Sequence, residues 1–286
     1  MFLFISRFVR SILIGWANVI PGVSGGTMAV VVGLYEEAVD ALGNITQKSL
    51  IKKNAAVLAP IILGVLTGIV LFSKIILWLL ENYPTPMGLF FWGLVASGLP
   101  LLIGLFQKSQ PRLGGWLSLV TSIGVMLVFI LVSPPDKSSV AVITQRDPLM
   151  LLGFFLAGFI ATSAMVIPGI SGSFILLMIG LYTTVFGAIP AMDFSVIIPF
   201  FLGAILGILA TAKGIQTLLD QKPNIAYGSI LGLVIGSLLP LALRAFSSQS
   251  LSTSQGNLDV WFWPSCVLGL GLGLMLGLLL GKRPRS

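Results

Sequence analysis

Long apolar runs, parted by short polar clusters, fill most of the chain. A membrane-spanning helix needs about 20 mostly apolar residues. Six runs meet that requirement: 56–80, 87–106, 113–133, 195–219, 225–246 and 261–281. Two further runs, 8–40 and 149–190, are apolar but interrupted, the first by PGVSGG and the second by PGISGS. Proline lacks an N–H and glycine tolerates a left-handed backbone, so a helix ends at each Pro-Gly pair. Both arms flanking each break read as short for a full crossing. Each interrupted run is therefore expected to form a re-entrant hairpin of half-helices, or one discontinuous helix.

The two interruptions belong to an internal duplication. Val19–Tyr35 and Val166–Tyr182 match without gaps at nine of seventeen positions. Further on, Pro60, Gly64, Gly68 and Lys74 recur at identical spacing as Pro199, Gly203, Gly207 and Lys213. Gly93-Leu94-Val95 recurs as Gly232-Leu233-Val234, and Pro100 as Pro240. The halves run from about residue 1 to 140 and from 141 to 286.

Charge placement sets the expected topology. Re-entrant hairpins leave three crossings per half. With the N-terminus inside, Arg7, Arg10, Lys48, Lys52, Lys53, Lys108, Arg112, Lys222, Lys282, Arg283 and Arg285 then face the cytoplasm, and the outer loops keep only Lys137 and Arg146. Were each interrupted run to cross once, the lysines at 48–53 and the C-terminal KRPR would face outward. The positive-inside rule favours the first arrangement, with both termini cytoplasmic. An odd number of crossings per repeat makes the repeats inverted, a common transporter plan. The expected fold is an all-α polytopic membrane protein of two inverted repeats, each a re-entrant hairpin plus three transmembrane helices.

Composition narrows the chemistry. The chain is 56% hydrophobic and 9% charged, against roughly a quarter charged in soluble domains. The +7 net charge fits cytoplasmic loops better than nucleic acid, which is not an expected partner. A single cysteine, Cys266, precludes an internal disulfide, and the absence of histidine removes the usual base and the usual zinc ligand. No secretory signal is evident, and neither a metal nor a cofactor is expected. Gly22-Val23-Ser24-Gly25 and Gly169-Ile170-Ser171-Gly172 have the Gly-x-Ser-Gly form of a serine nucleophile, but a neutral serine needs an adjacent base. An enzyme is not expected.

The same residues suit an anion. After Pro21-Gly22, the run Ser24-Gly25-Gly26-Thr27 opens a half-helix expected to reach about Tyr35, and the first N–H groups of a helix lack intrahelical partners. Unpaired backbone is very costly in lipid, so such a break must line a polar cavity, bind something or be capped by its own Ser and Thr. Pro168, Gly169, Ser171, Gly172 and Ser173 repeat the arrangement. Two inverted copies would aim two helix N-termini at the midplane. Asn18 precedes the first break, with Met165 in its place in the second. Lys74, Lys213 and Arg244 are candidate cations for a phosphate path, or residues that reach the interface. Glu36, Glu37 and Asp40 end the first hairpin, and Thr183 and Thr184 stand where the glutamates would recur. A proton-coupling role and a solvated helix end are both open for these carboxylates. The glycine pairs at 64 and 68 and at 203 and 207, and the stripe 269, 273, 277 and 281, read as helix-packing faces.

ANVIPGVSGGTMAVVVGLYEE, echoed by MVIPGISGSFILLMIGLY, closely resembles a bacterial membrane family associated with polyprenyl-phosphate transport, over essentially the whole chain. The resemblance implies a flippase in the bacterial cytoplasmic membrane that recycles undecaprenyl phosphate to the cytoplasmic leaflet for cell-envelope synthesis. It places the paired motifs at Asn18 to Thr27 and Pro168 to Ser173. The second copy departs at Ser173, where the first has Gly26, and at Phe174, where it has Thr27. A small inorganic anion transporter or channel, and a non-transporting subunit of an envelope-assembly complex, remain the alternatives. A homo-oligomer is left open.

Overall fold

The structure is a computed structural model that describes residues 2–19, 23–132, 147–189, 191–246 and 262–281, apart from the side chains of Phe2, Val19, Ser73, Leu77 and Arg244. Every regular element among them is helical. The first half holds α1 (Phe2–Val19), α2 (Gly25–Val31), α3 (Tyr35–Gly43), α4 (Ile51–Asn82), α5 (Pro84–Ala96), α6 (Leu99–Lys108) and α7 (Leu113–Val132). The second holds α8 (Pro148–Val166), α9 (Gly172–Met178), α10 (Tyr182–Ala188), α11 (Phe194–Gln221), α12 (Pro223–Ala245) and α13 (Phe262–Leu280).

Local chemistry sets the helix starts. Proline opens α5, α8 and α12, where its missing N–H costs nothing. Asp147 caps α8 by accepting from Met150 N–H at 2.7 Å, and Asp193 caps α11 by accepting from Ser195 N–H at 3.1 Å. Among the described residues seven segments are long and apolar enough to cross a membrane, one more than the sequence pattern suggested. The addition is α8. Its 19 residues span about 28 Å at 1.5 Å per residue, so this arm of the second interrupted run is not short. The expected span at 87–106 is also bent, parting at Ser97-Gly98 into α5 and α6.

The half-helices are shorter than expected. The one after Ser24 stops at Val31 rather than near Tyr35. Gly33 takes φ +72° and donates its N–H to Val30 O, while Leu34 N–H reaches back to Ala29 O. This is the Schellman stop, which needs a residue tolerant of positive φ. It recurs at Gly180 (φ +74°), with Gly180 N–H to Leu177 O and Leu181 N–H to Leu176 O.

Four tight helix pairs form the frame: α1 with α4, α8 with α11, α5 with α13, and α7 with α12. The first two lie within a half, and the other two join the halves. Lipid gives apolar side chains little reason to associate, so contact depends on small residues that let backbones approach. Side chains on Gly64 and Gly68 would strike the backbone carbonyls of Phe8 and Ile12, and on Gly203 and Gly207 those of Phe155 and Phe159. Gly269 and Gly273 lie in the same way against Pro86 and Phe90, Gly277 against Ser97, and Gly281 within 2.8 Å (from an added Cβ) of Val31 O. The outward surfaces carry large apolar side chains, such as Leu71, Leu131 and Val267, as a lipid-facing exterior requires.

Two glycines of α11 test this packing. A Cβ at Gly207 would press on Phe159 O and lie 2.6 Å from Thr162 Oγ1, whereas one at Gly214 meets nothing within 4 Å. Gly207→Ala is expected to cost about 1–3 kcal/mol through overpacking. Gly214→Ala should be neutral or stabilising by about 0.5–1 kcal/mol, since alanine favours helix. Thermal unfolding in detergent distinguishes the two.

Candidate functional site

The two repeated phrases meet. Ser24 has extended backbone and begins α2 as its N-cap, its Oγ accepting from Thr27 N–H at 3.4 Å. Thr27 Oγ1 in turn accepts from the N–H of Gly169, 142 residues away, at 2.6 Å. A Cβ on Gly26 would lie 2.9 Å from Met165 O and 3.0 Å from Val166 O, so the first tip is seated on the carbonyl end of α8. Ser24 and Thr27 are buried, with Thr27 only 2% exposed.

Each tip is further held by its own half or by α12. Asn18 lies along Gly25, where a Cβ would be 2.6 Å from its Oδ1, and its Nδ2 donates to Ile14 O at 2.9 Å. Gly169 adopts φ +92° against α12, with Leu233 O 2.7 Å from where a Cβ would stand. A Cβ on Gly172 would stand 2.5 Å from Ala161 O. Ser171 makes no cap; its hydroxyl shares a 2.9 Å hydrogen bond with that of Ser173. Pro168 belongs to the same turn, its N 3.3 Å from an added Cβ on Gly26. Pro21 and Gly22 lie outside the described residues. The tips thus meet through Gly26 and Thr27 of the first and Pro168 and Gly169 of the second, with Asn18, Ser24 and Gly25 held together on the first side and Ser171, Gly172 and Ser173 on the second. Ser24 Oγ accepts from a backbone amide, and the Ser171 hydroxyl pairs with that of Ser173.

The two described candidate lysines make no bond to the tips among the described residues. Lys74 is exposed on α4 and makes no hydrogen bond or ion pair to the described tip residues. Lys213 is exposed on α11 and donates to Gln216 Oε1 at 3.0 Å. Arg244 lies in α12, its side chain outside the described set.

The three carboxylates of α3 are all engaged. Glu36 accepts from Tyr227 Oη at 2.8 Å, Glu37 from Arg7 Nε at 2.8 Å, and Asp40 from Gln216 Nε2 at 2.8 Å. Asn44 Nδ2 adds a 2.9 Å bond to Asp40. Gln216 and Tyr227 were not singled out in the sequence. Gln216 is a buried polar residue on a membrane-spanning helix, and a glutamine within such a run is the signal that could have marked it. Among the described residues no group of His, Cys, Asp or Glu could hold a metal ion.

Comparison with known proteins identifies the family. The chain is 28% identical over 312 aligned residues to a polyprenyl-phosphate transporter of Vibrio cholerae serotype O1, covering 96% of each chain. It is 29% identical over 283 residues to a polyprenyl-phosphate transporter of Staphylococcus aureus, covering 96% of this chain and 95% of that one. No solved structure matches it significantly. Residues 14–259, which hold both tips and every helix but α13 and the start of α1, match the undecaprenyl phosphate translocase-like family, and the chain belongs to that family.

Proposed function

We propose that the protein moves undecaprenyl phosphate between the leaflets of the bacterial cytoplasmic membrane and returns it to the cytoplasmic side for envelope synthesis. A phosphate cannot cross hydrocarbon unaided because desolvating its charge is prohibitive, whereas the isoprenoid tail can remain in lipid. The protein then needs only a polar path for the headgroup, bordered by lipid. Family membership and the polyprenyl-phosphate transport for which the two relatives are named support the substrate class.

The observation that carries the reading is the Gly169-to-Thr27 hydrogen bond. It joins two interrupted segments from different halves at a buried point, where backbone N–H groups, small residues and hydroxyls converge. In the proposed topology the halves are inverted repeats, and α1–α3 and α8–α10 are hairpins entering from opposite faces. The packing is consistent with this: α1 on α4 is repeated by α8 on α11, and α5 on α13 by α12 on α7. The phosphate takes the place of Thr27 Oγ1 as acceptor for Gly169 N–H, and the hydroxyls of Ser24, Ser171 and Ser173 donate to its other oxygens. Lys74, Lys213 and Arg244 serve the path as approach charges rather than as contacts in the closed state.

Four outcomes are expected. Depletion of the protein, in cells lacking other carriers for this lipid, raises undecaprenyl phosphate on the outer surface, read as altered sensitivity to a compound that sequesters it; an unchanged surface pool overturns the proposal. Gly25→Val displaces only the end of the Asn18 side chain, so it inserts normally yet loses transport. Gly172→Val presses on Ala161 O and loses both transport and thermal stability. Thr27→Val leaves Gly169 N–H unsatisfied and lowers stability by about 1–3 kcal/mol, while Thr27→Ser stays near the parent value in the same melting experiment.

A further inference from the structure

The halves touch along a seam between α3 of the first and α11 of the second. Gln216 of α11 is buried in that seam, and a glycine makes room for it: a Cβ added at Gly43 would lie 2.5 Å from Gln216 Oε1. Its amide stands between two charges. Oε1 accepts from Lys213 Nζ at 3.0 Å, and Nε2 donates to Asp40 Oδ1 at 2.8 Å. Asn44 Nδ2 holds the same carboxylate oxygen at 2.9 Å. The amide fits only this way round, because an ammonium only donates and a carboxylate only accepts. With a cation at one end and an anion at the other, both bonds polarise the amide in the same sense, and each strengthens the other.

Lys213 and Asp40 are exposed, while the glutamine between them is buried. Leu202 and Leu206 precede Lys213 on the same stripe of α11 and are exposed too, so the stripe faces lipid. Lys213 stands eight residues before the end of α11 at Gln221, about 12 Å along the axis. The helix is about 42 Å long against a hydrocarbon core of about 30 Å, so a lysine at this depth reaches the headgroup layer with its stem. A Cβ added at the neighbouring Gly214 would meet nothing within 4 Å, so space is open beside it. Gln216 takes one of the three donors of the ammonium.

We infer that Lys213 is a lateral contact for the lipid phosphate at the α3–α11 seam, and that Gln216 is a positioning residue that passes its occupancy on to Asp40. The inference rests on the substrate reading above and adds to the tips a second place where the headgroup is held. A phosphomonoester on a lipid lies at the depth of Lys213, carries up to about two negative charges and competes with a neutral amide for the ammonium. As the phosphate draws the ammonium away, Gln216 Oε1 loses its donor and the amide is no longer polarised toward Asp40. The arriving anion also repels that carboxylate. The bond across the halves therefore weakens when the headgroup arrives, and the lipid loosens the seam it has to pass. In the proposed topology this end of α11 is cytoplasmic, so the seam is where the headgroup meets the inner leaflet. The effect is a difference in affinity between the closed and the loosened seam.

Titration of the full-length protein in phosphatidylcholine nanodiscs with farnesyl phosphate, a short isoprenyl monophosphate, tests this. Lys213→Met is expected to weaken binding about tenfold, and Lys213→Arg to keep it near the parent value. Gln216→Met acts the other way: it frees the ammonium and removes the tie that binding has to break, so affinity rises several-fold. Asp40→Asn shifts affinity in the same direction as Gln216→Met. These opposite signs separate a positioning role from a structural one, because damage to the fold weakens binding in every variant; thermal unfolding without ligand checks each of them. Unchanged binding by Lys213→Met, or weaker binding by both Gln216→Met and Asp40→Asn, overturns the inference. So does an equal loss for short-chain phosphatidylglycerol, which makes Lys213 a contact for any anionic lipid. A parent protein that binds no farnesyl phosphate overturns the substrate reading as well, whereas one that binds it as well as Lys213→Met does overturns this inference alone.

Discussion

Everything in this fold answers to the cost of an unpaired backbone amide in a medium without water, on the order of several kcal/mol per group. A helix interrupted inside the bilayer must find partners for the groups it frees. This chain interrupts itself twice and lets one break help to satisfy the other: Thr27 of the first tip accepts the amide of Gly169 in the second. The Schellman stops at Gly33 and Gly180 satisfy the far ends of the same short helices. A ligand rich in acceptor oxygens can enter such a place by exchange, replacing one acceptor with another.

The second constraint is contact in lipid. Because hydrocarbon surrounds the protein, apolar burial alone cannot choose helix partners, and close backbone approach decides instead. The packing glycines at 64 and 68 on α4, 203 and 207 on α11, and 269, 273 and 277 on α13 each face a carbonyl or a small side chain of the partner helix. Large apolar residues are correspondingly pushed outward, where Leu71, Leu131 and Val267 sit mostly exposed. Polar links between the halves are few and specific, and α3 carries two of them.

Much of this was legible in the residues, and the reasons for the rest are physical. Proline alone is ambiguous, since Pro60, Pro199 and Pro240 lie inside α4, α11 and α12, but a Pro-Gly pair marks a break, so the two interruptions and the repetition of the phrases could be read directly. Glycine has several uses, so Gly33 and Gly180 were indistinguishable from packing glycines until their positive φ was seen. The run expected from 149 begins within one residue of α8, but its arm reads as short for a crossing because the Pro-Gly break draws attention, whereas its 19 residues suffice. The bonds of Asp40 to Gln216 and of Glu36 to Tyr227 span 176 and 191 residues, and no local pattern encodes them. Lys213, read as a phosphate-path cation or a residue that reaches the interface, donates to a glutamine that no pattern pairs it with.

The crossing of α5 onto α13 and of α7 onto α12 has a consequence for how such a molecule could arise. A polypeptide ending near residue 140 would leave the faces of α5 and α7 without the helices that cover them. A second copy would cover them, lending two helices and borrowing two in return. Joining two such copies in one chain would fix partners already interlocked.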